Sequence, residues 1–269
     1  MTRLELRGIS VVIGGHALVD HASFALTGDE LLGVIGPNGA GKSTLLRVAA
    51  GIAEPASGAA LLDGKPLASS PPRERARRIS YLPQGGMTHW PLTVARLVAL
   101  GRLPHLEPFK RAGAGDEAAI AAALEACGMT EFAQRAITSL SGGERALALF
   151  ARALAVGADV LIADEPAASL DPNHQLQVME ILKAQAGQGR AIAVVMHDLS
   201  MAARFCDRLI LLDRGRIAAS GAPDAVLTDA NLRAVYAIEA ARGNGEMPYV
   251  LPLRRIFSSQ GQGTRKSPG

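Results

Sequence analysis

A short apolar run, Leu31 to Ile35, gives way to Gly36, Pro37, Asn38, Gly39, Ala40, Gly41, Lys42 and Ser43, and the text then resumes as TLLRVAAG with helical spacing. A buried strand passing through a glycine-rich loop into a helix is a narrow demand, and it points to an α/β chain built on a mostly parallel sheet. The loop has the spacing G-x-x-x-x-G-K-[ST] of a phosphate cradle. Its glycines let backbone N–H groups turn inward around an anion, and the helix start adds a favourable field. Lys42 can reach β- and γ-phosphates, and the Ser43 hydroxyl can ligate Mg²⁺. A glycine-rich surface loop with an exposed lysine is the plainer alternative, but it leaves the flanking strand and helix unexplained. Taken alone, the loop is compatible with kinases, GTPases, helicases and transport ATPases.

Three more short apolar runs, Ile79 to Leu82, Val160 to Ala163 and Ala191 to Met196, end in polar residues and read as further buried parallel strands. Residues 3–26 alternate polar and apolar side chains around Gly14 and Gly15, so an antiparallel hairpin is expected to open the fold. Helical text, including LTVARLVALGR and DEAAIAAALEACGM, fills the stretch between the second and third parallel strands and predicts a helical subdomain inserted at about 87–157. After Met196 the pattern gives a helix, a strand, a tight turn at Arg214 and Gly215, another strand, and a closing helix from about Pro223 to Ala240. Residues 3–240 thus form the main domain, and 241–269 are a C-terminal extension whose small, polar end, SSQGQGTRKSPG, reads as a flexible tail.

Composition narrows the class of partner. With 48% hydrophobic and 20% charged residues the chain can bury enough apolar surface to offset the entropy of ordering. Lys and Arg number 28 against 25 for Asp and Glu, and a net charge of +3 gives no ground for a nucleic-acid partner. No uncharged apolar run has the length of a membrane span, and MTRLELRG lacks the apolar centre of an export signal. Cys127 and Cys206 stand far apart in helical text, which argues against a disulfide framework and for a reducing compartment.

VLIADEP places Asp164 and Glu165 at the carboxyl end of an apolar strand, where open α/β sheets present their ligands. Asp164 can hold Mg²⁺ through its water shell, and Glu165 can orient and polarise an attacking water. Gln84 follows ISYLP and His197 follows AIAVVM, so both should emerge on the same sheet edge. Gln84 can sense the metal or the water; His197 can hydrogen-bond a γ-phosphate. Ser141 and Glu144 have the spacing of a helix capping box, whereas Gly142 and Gly143 between them weaken a helix start and expose N–H groups to an anion. Asp171 before Pro172 reads as an N-cap and first helical residue.

The set GPNGAGKS, Gln84, LSGGE, VLIADEP, SLD and His197, in that order over about residues 3–240, resembles the ATP-binding-cassette ATPases. The resemblance implies a P-loop NTPase of ABC type, with a mostly parallel core sheet, an antiparallel β subdomain and the inserted helical subdomain. It implies ATP and Mg²⁺ as cofactors, with residues 36–43 and Thr44 on the nucleotide, and Ser43, Gln84 and Asp164 around the metal. Glu165, His197 and Gln84 would serve catalysis. Two copies would pair head to tail, so that Ser141, Gly142, Gly143 and Glu144 meet the partner's ATP while Asp171 links the two sites. The family commonly stacks an aromatic ring on adenine near the first hairpin, where this chain offers Ile13 and His16.

TVARLVALGRLPHL, DPNHQLQVMEIL and GAPDAVLTDANLRAVY are similar to importers of the iron-siderophore, haem and cobalamin type. The implied assembly is a homodimer on the cytoplasmic side of the cell membrane, peripheral through integral permease subunits and served indirectly by a substrate-binding protein, with no nucleic acid. Trp90 would then face the permease or pack in a core. Zinc or manganese import and a regulatory ATPase acting on nucleic acid or ribosomes are the rival readings.

Overall fold

The computed structural model describes residues 2–85, 92–107, 112–168 and 170–256. Strand β1 (Arg3–Ile13) turns through Gly14 and Gly15, both at positive φ, into β2 (His16–Thr27), the hairpin expected from the alternation. β3 (Glu30–Ile35) runs into the glycine-rich loop and α1 (Lys42–Ala49). β4 (Ser57–Leu62) and β5 (Lys65–Pro66) then return to the hairpin and complete an antiparallel sheet of order β2-β1-β4-β5.

α2 (Pro72–Arg78) leads to β6 (Ile79–Leu82), and the chain leaves the sheet for α3 (Val94–Ala99), α4 (Ala114–Ala126) and α5 (Gly142–Ala155). It comes back through β7 (Val160–Asp164), α6 (Pro172–Ala186), β8 (Ala191–Val195), α7 (Leu199–Phe205), β9 (Arg208–Asp213) and β10 (Arg216–Gly221). The six-stranded sheet has the order β10-β9-β3-β8-β7-β6, parallel throughout except for β10. The strands preceding the phosphate loop, His197, Asp164 and Gln84 are therefore consecutive neighbours, and their carboxyl ends share one edge.

Strand alternation divides the core. Leu32, Val34, Ile162, Ala193, Val195 and Ile210 pack toward the antiparallel sheet and α1, while Leu31, Ile35, Leu161, Ala163, Val194 and Leu209 pack toward the helices. Each fully buried Leu, Ile or Val contributes about 1.5–3 kcal/mol, so both faces of the sheet hold the site-bearing edge rigid. In the inserted segment Val94, Leu97 and Val98 of α3, Leu124 of α4 and Leu147 to Phe150 of α5 join the helical side of this core. Trp90 and the tail from residue 257 lie outside the described residues. Cys127 and Cys206 are free and buried, and burial pushes each thiol up to about 12. No helix among the described residues is long and apolar enough to cross a membrane.

The closing helix expected from Pro223 to Ala240 does not form as one element. α8 (Pro223–Val226) stops at Leu227, which leaves helical ψ, and Thr228 caps a new start by accepting from the Asn231 N–H at 3.2 Å. α9 (Asp229–Asn231) continues into a π turn, Leu232–Tyr236, that ends at Ala237 in the left-handed region. β11 (Ile238–Gly243) then pairs antiparallel with β12 (Tyr249–Arg255), so residue 240 lies within a strand. This hairpin is tied to α7: the Ser200 hydroxyl donates to the Val250 carbonyl and accepts from its N–H, both at 3.0 Å.

Candidate active site

The phosphate loop leaves the centre of the sheet under tight steric control. A Cβ at Gly36 would stand 2.3 Å from the Leu212 carbonyl oxygen, and one at Gly41 would stand 2.2 Å from that of Leu18; both residues have positive φ. Lys42 is only 6% exposed, and its Nζ donates to the carbonyls of Gly36 at 2.8 Å and Pro37 at 2.9 Å. Burial lowers its pKa, opposed by the carboxylates of Glu165 and Asp164. Thr44 lies in the first turn of α1, next to Ser43.

Ser43 Oγ donates to Asp164 Oδ1 at 2.8 Å, and Tyr81 Oη donates to Asp164 Oδ2 at 3.2 Å. The next residue, Glu165, sits at φ +52°, a conformation uncommon for a side chain other than glycine. That backbone turn delivers its carboxylate between two loops: Oε1 lies 2.5 Å from His197 Nε2, and Oε2 accepts from Gln84 Nε2 at 2.5 Å. Glu165, His197 and Gln84 therefore meet as expected from their strand ends. Of the three residues expected around a metal, Ser43 and Asp164 are in contact, whereas the Gln84 amide is engaged by Glu165. The reason is reach: Gln84 leaves β6, at the sheet edge, and β7 with its terminal acidic pair lies beside it, ahead of β3.

Ser141 caps α5 in a reciprocal box, accepting from the Glu144 N–H at 3.2 Å while the Ser141 N–H donates to Glu144 Oε2 at 2.7 Å. Those bonds hold the Glu144 carboxyl below the usual range. A Cβ at Gly142 would meet nothing within 4 Å, so that face of the helix start is open. Gly142, Arg145, Gln84 and Glu165 line one cleft, and none of residues 36–43 does. Asp171 caps α6, accepting from the His174 N–H at 3.1 Å and lying 2.6 Å from His174 Nδ1. At the tip of the first hairpin Ile13 is 60% exposed and His16 is exposed as well.

Two supports escape a motif reading. Tyr81 is pushed up in pKa by burial, and its hydrogen bond with Arg47 raises that guanidinium, so an Arg47–Tyr81–Asp164 chain braces Asp164. Its strand position, three residues before Gln84, was the only signal. Tyr236, from the far end of the chain, buries its phenol against the Gly36 backbone and bonds to it; nothing local announces that contact.

Comparison with known proteins gives this geometry a family. The ABC transporter family matches residues 19–168. A hemin import ATP-binding protein, HmuV, from Nocardia farcinica is 45% identical over 238 residues, covering 87% of this chain and 82% of that protein. HmuV from Rhodopseudomonas palustris is 41% identical over 259 residues, covering 93% and 94%. The cobalamin import ATP-binding protein BtuD of Halobacterium salinarum is 40% identical over 241 residues, covering 89% of this chain, which spans 60% of that relative's length. Among solved structures, a chain of an inward-facing ABC transporter classed as metal-chelate type superposes with a TM-score of 0.82 at 26% identity, covering 94% of this chain and 98% of its own. An ATP-binding cassette dimer in a post-hydrolysis state with ADP and phosphate shares the fold, with a TM-score of 0.71 at 24% identity, covering 82% and 99%. Motif order, sheet edge and sequence agree: this chain belongs to the ABC transporter family.

Proposed function

We propose that the chain is the ATP-hydrolysing subunit of an importer, working as a homodimer on the cytoplasmic face of a permease, with an iron-siderophore, haem or cobalamin as cargo. The observation that carries the hydrolytic reading is the Glu165 carboxylate, 12% exposed and held between Gln84 and His197 beside the Ser43–Asp164 contact. Lys42 and the loop N–H groups bind the β- and γ-phosphates. Glu165 orients a water whose oxygen bonds to the γ-phosphorus as the bridging P–O bond breaks, and it receives the water's proton. Gln84 and His197 keep the Glu165 carboxylate aimed, and His197 would turn its Nε2 from Glu165 to the γ-phosphate once nucleotide is bound. A hydroxyl and a carboxylate in contact fit Mg²⁺, which takes few protein ligands beside phosphate and water oxygens; Ser43 and Asp164 would hold it, and it would neutralise charge on the phosphates.

The open face at Gly142 leaves the signature segment, Ser141 to Glu144, free to close over the nucleotide of a second copy, and the dimeric cassette of the same fold supports that pairing. Closure would drive the permease, and phosphate release would reopen the pair. The relatives named for hemin and cobalamin import support the cargo class. The test is capture of the tagged chain from detergent-solubilised membranes. The expected result is a many-spanning membrane protein in stoichiometric amount, and ATP-dependent uptake of labelled haem, cobalamin or ferric siderophore by vesicles carrying the complex. Nuclease-sensitive association with nucleic acid, or uptake of zinc or manganese only, would overturn it.

The hairpin tip makes a separate prediction. The tip offers Ile13, which has no ring, and the His16 imidazole as the one group there that could stack on a base, and Ile13→Tyr should add about 1 kcal/mol of stacking, roughly a fivefold lower KM. Because every purine has a π-face, ATP and GTP should benefit alike. An unchanged KM for both would place the base elsewhere.

A further inference from the structure

The two signature glycines are not equivalent. Gly142 is open, whereas a Cβ on Gly143 would fall 2.6 Å from both Cε1 and Nδ1 of the His174 ring. The ring therefore lies on the second glycine of α5 although it belongs to α6, thirty-one residues later. It is 22% exposed, and its orientation is set from the other side by Asp171, whose carboxylate takes the His174 backbone N–H on one oxygen and Nδ1 on the other. Nδ1 carries its proton in this arrangement, since it faces a carboxylate. Both Asp171 oxygens are thus engaged within the first turn of α6, and these bonds, the backbone one foremost, hold its carboxyl below the usual range.

We propose that His174 is a positioning residue that locks the signature turn to Asp171, so that these two elements engage the partner's nucleotide as one rigid unit. The chemistry supports a device rather than an ordinary cap. Capping α6 needs only the Asp171 oxygen and the His174 N–H, which any side chain at 174 leaves intact. The imidazole adds a planar spacer whose edge is fixed by a charge-assisted bond and whose face fills the volume that the missing Cβ of Gly143 leaves. Gly143 is then required by a contact inside its own chain, and Gly142 by the approach of an anion.

The inference rests on the two-copy reading above, and the experiment separates the two. The full-length Glu165→Gln chain is mixed with Mg-ATP and its dimer is measured by sedimentation; absence of a dimer would sink the two-copy reading itself. In that background His174→Ala should raise the chain concentration for half-dimer at least tenfold while leaving the Kd of the monomer for a fluorescent ATP analogue within twofold. His174→Asn places an amide nitrogen where Nδ1 stands, keeping the bond to Asp171 but removing the ring, and should fall short of the parent by a similar factor. In the otherwise wild-type chain the same variants should lower kcat with little change in nucleotide affinity. Gly143→Ala should impair dimer formation in the parent and add almost nothing once His174 is Ala, a non-additivity expected of groups in contact. Parent-like dimer formation by the His174 variants, or strictly additive losses, would overturn the proposal.

Discussion

Glu165→Gln should reduce steady-state ATP hydrolysis by about 10²–10⁴-fold, the range lost when a positioned general base is removed, while ATP still binds. The geometry explains why the change is clean. Glu165 accepts on both oxygens, from Gln84 at 2.5 Å and opposite His197 at 2.5 Å. A glutamine of the same shape keeps both contacts if its carbonyl takes one donor and its amide faces an acceptor, which Gln84 supplies by flipping its own amide or His197 by exchanging tautomer. Lys42, Ser43 and Asp164 keep their contacts, so affinity for nucleotide should stay within a few-fold. What disappears is the carboxylate proposed to polarise the water and accept its proton. Chains that bind but do not cleave should accumulate as ATP-bound dimers, resolved from monomer by size and retaining one nucleotide per chain after desalting. Turnover at the wild-type rate would show that another group activates the water, and the role assigned to Glu165 would fall.

The parts of this site that were legible beforehand are those that local chemistry dictates. A buried parallel strand is a short apolar run, and its carboxyl end must present whatever residue follows; hence Asp164, Glu165, Gln84 and His197 were placed from their strands alone, and the loop of Gly36 to Ser43 from its glycines. The capping box at Ser141 was legible because both partners lie within four residues. What stayed hidden depends on contacts between distant segments. The His174 ring on Gly143, the Tyr236 phenol on Gly36 and the Tyr81 hydroxyl on Asp164 each join separate elements, and none follows a periodic rule. The closing segment misled for a related reason. Its composition is helix-compatible, yet Thr228 offers a competing cap and the Ile238 strand finds a partner in β12, so tertiary pairing overrides a weak helical preference. Gln84 stands between these cases: its loop was legible, but the choice of Glu165 over the Ser43–Asp164 pair is decided by strand order, which the text does not carry.

Lys42→Ala should weaken ATP binding by about 3 kcal/mol, roughly a hundredfold in Kd, the scale of a charged hydrogen bond lost from a desolvated site. The loss has two sources that act in the same direction. The ammonium is the cation proposed to meet the β- and γ-phosphates, and it is nearly buried, at 6% exposure, so water does not replace it efficiently. It also offsets Asp164 and Glu165, whose carboxylates favour its charged form against the burial that opposes it. With alanine in its place those two acids would face a polyanionic ligand with Mg²⁺ alone to offset them, and repulsion would add to the missing attraction. The fold should tolerate the change, because the hydrogen bonds that Lys42 Nζ makes among the described residues go to the Gly36 and Pro37 carbonyls, and Gly36 remains packed against Leu212 whatever residue 42 is. Calorimetric titration of the folded variant with Mg-ATP is the measurement, with its melting temperature recorded beside the parent's. Affinity equal to the parent's would mean that the triphosphate does not lie in this loop, and the assignment of residues 36–43 as its cradle would have to be withdrawn.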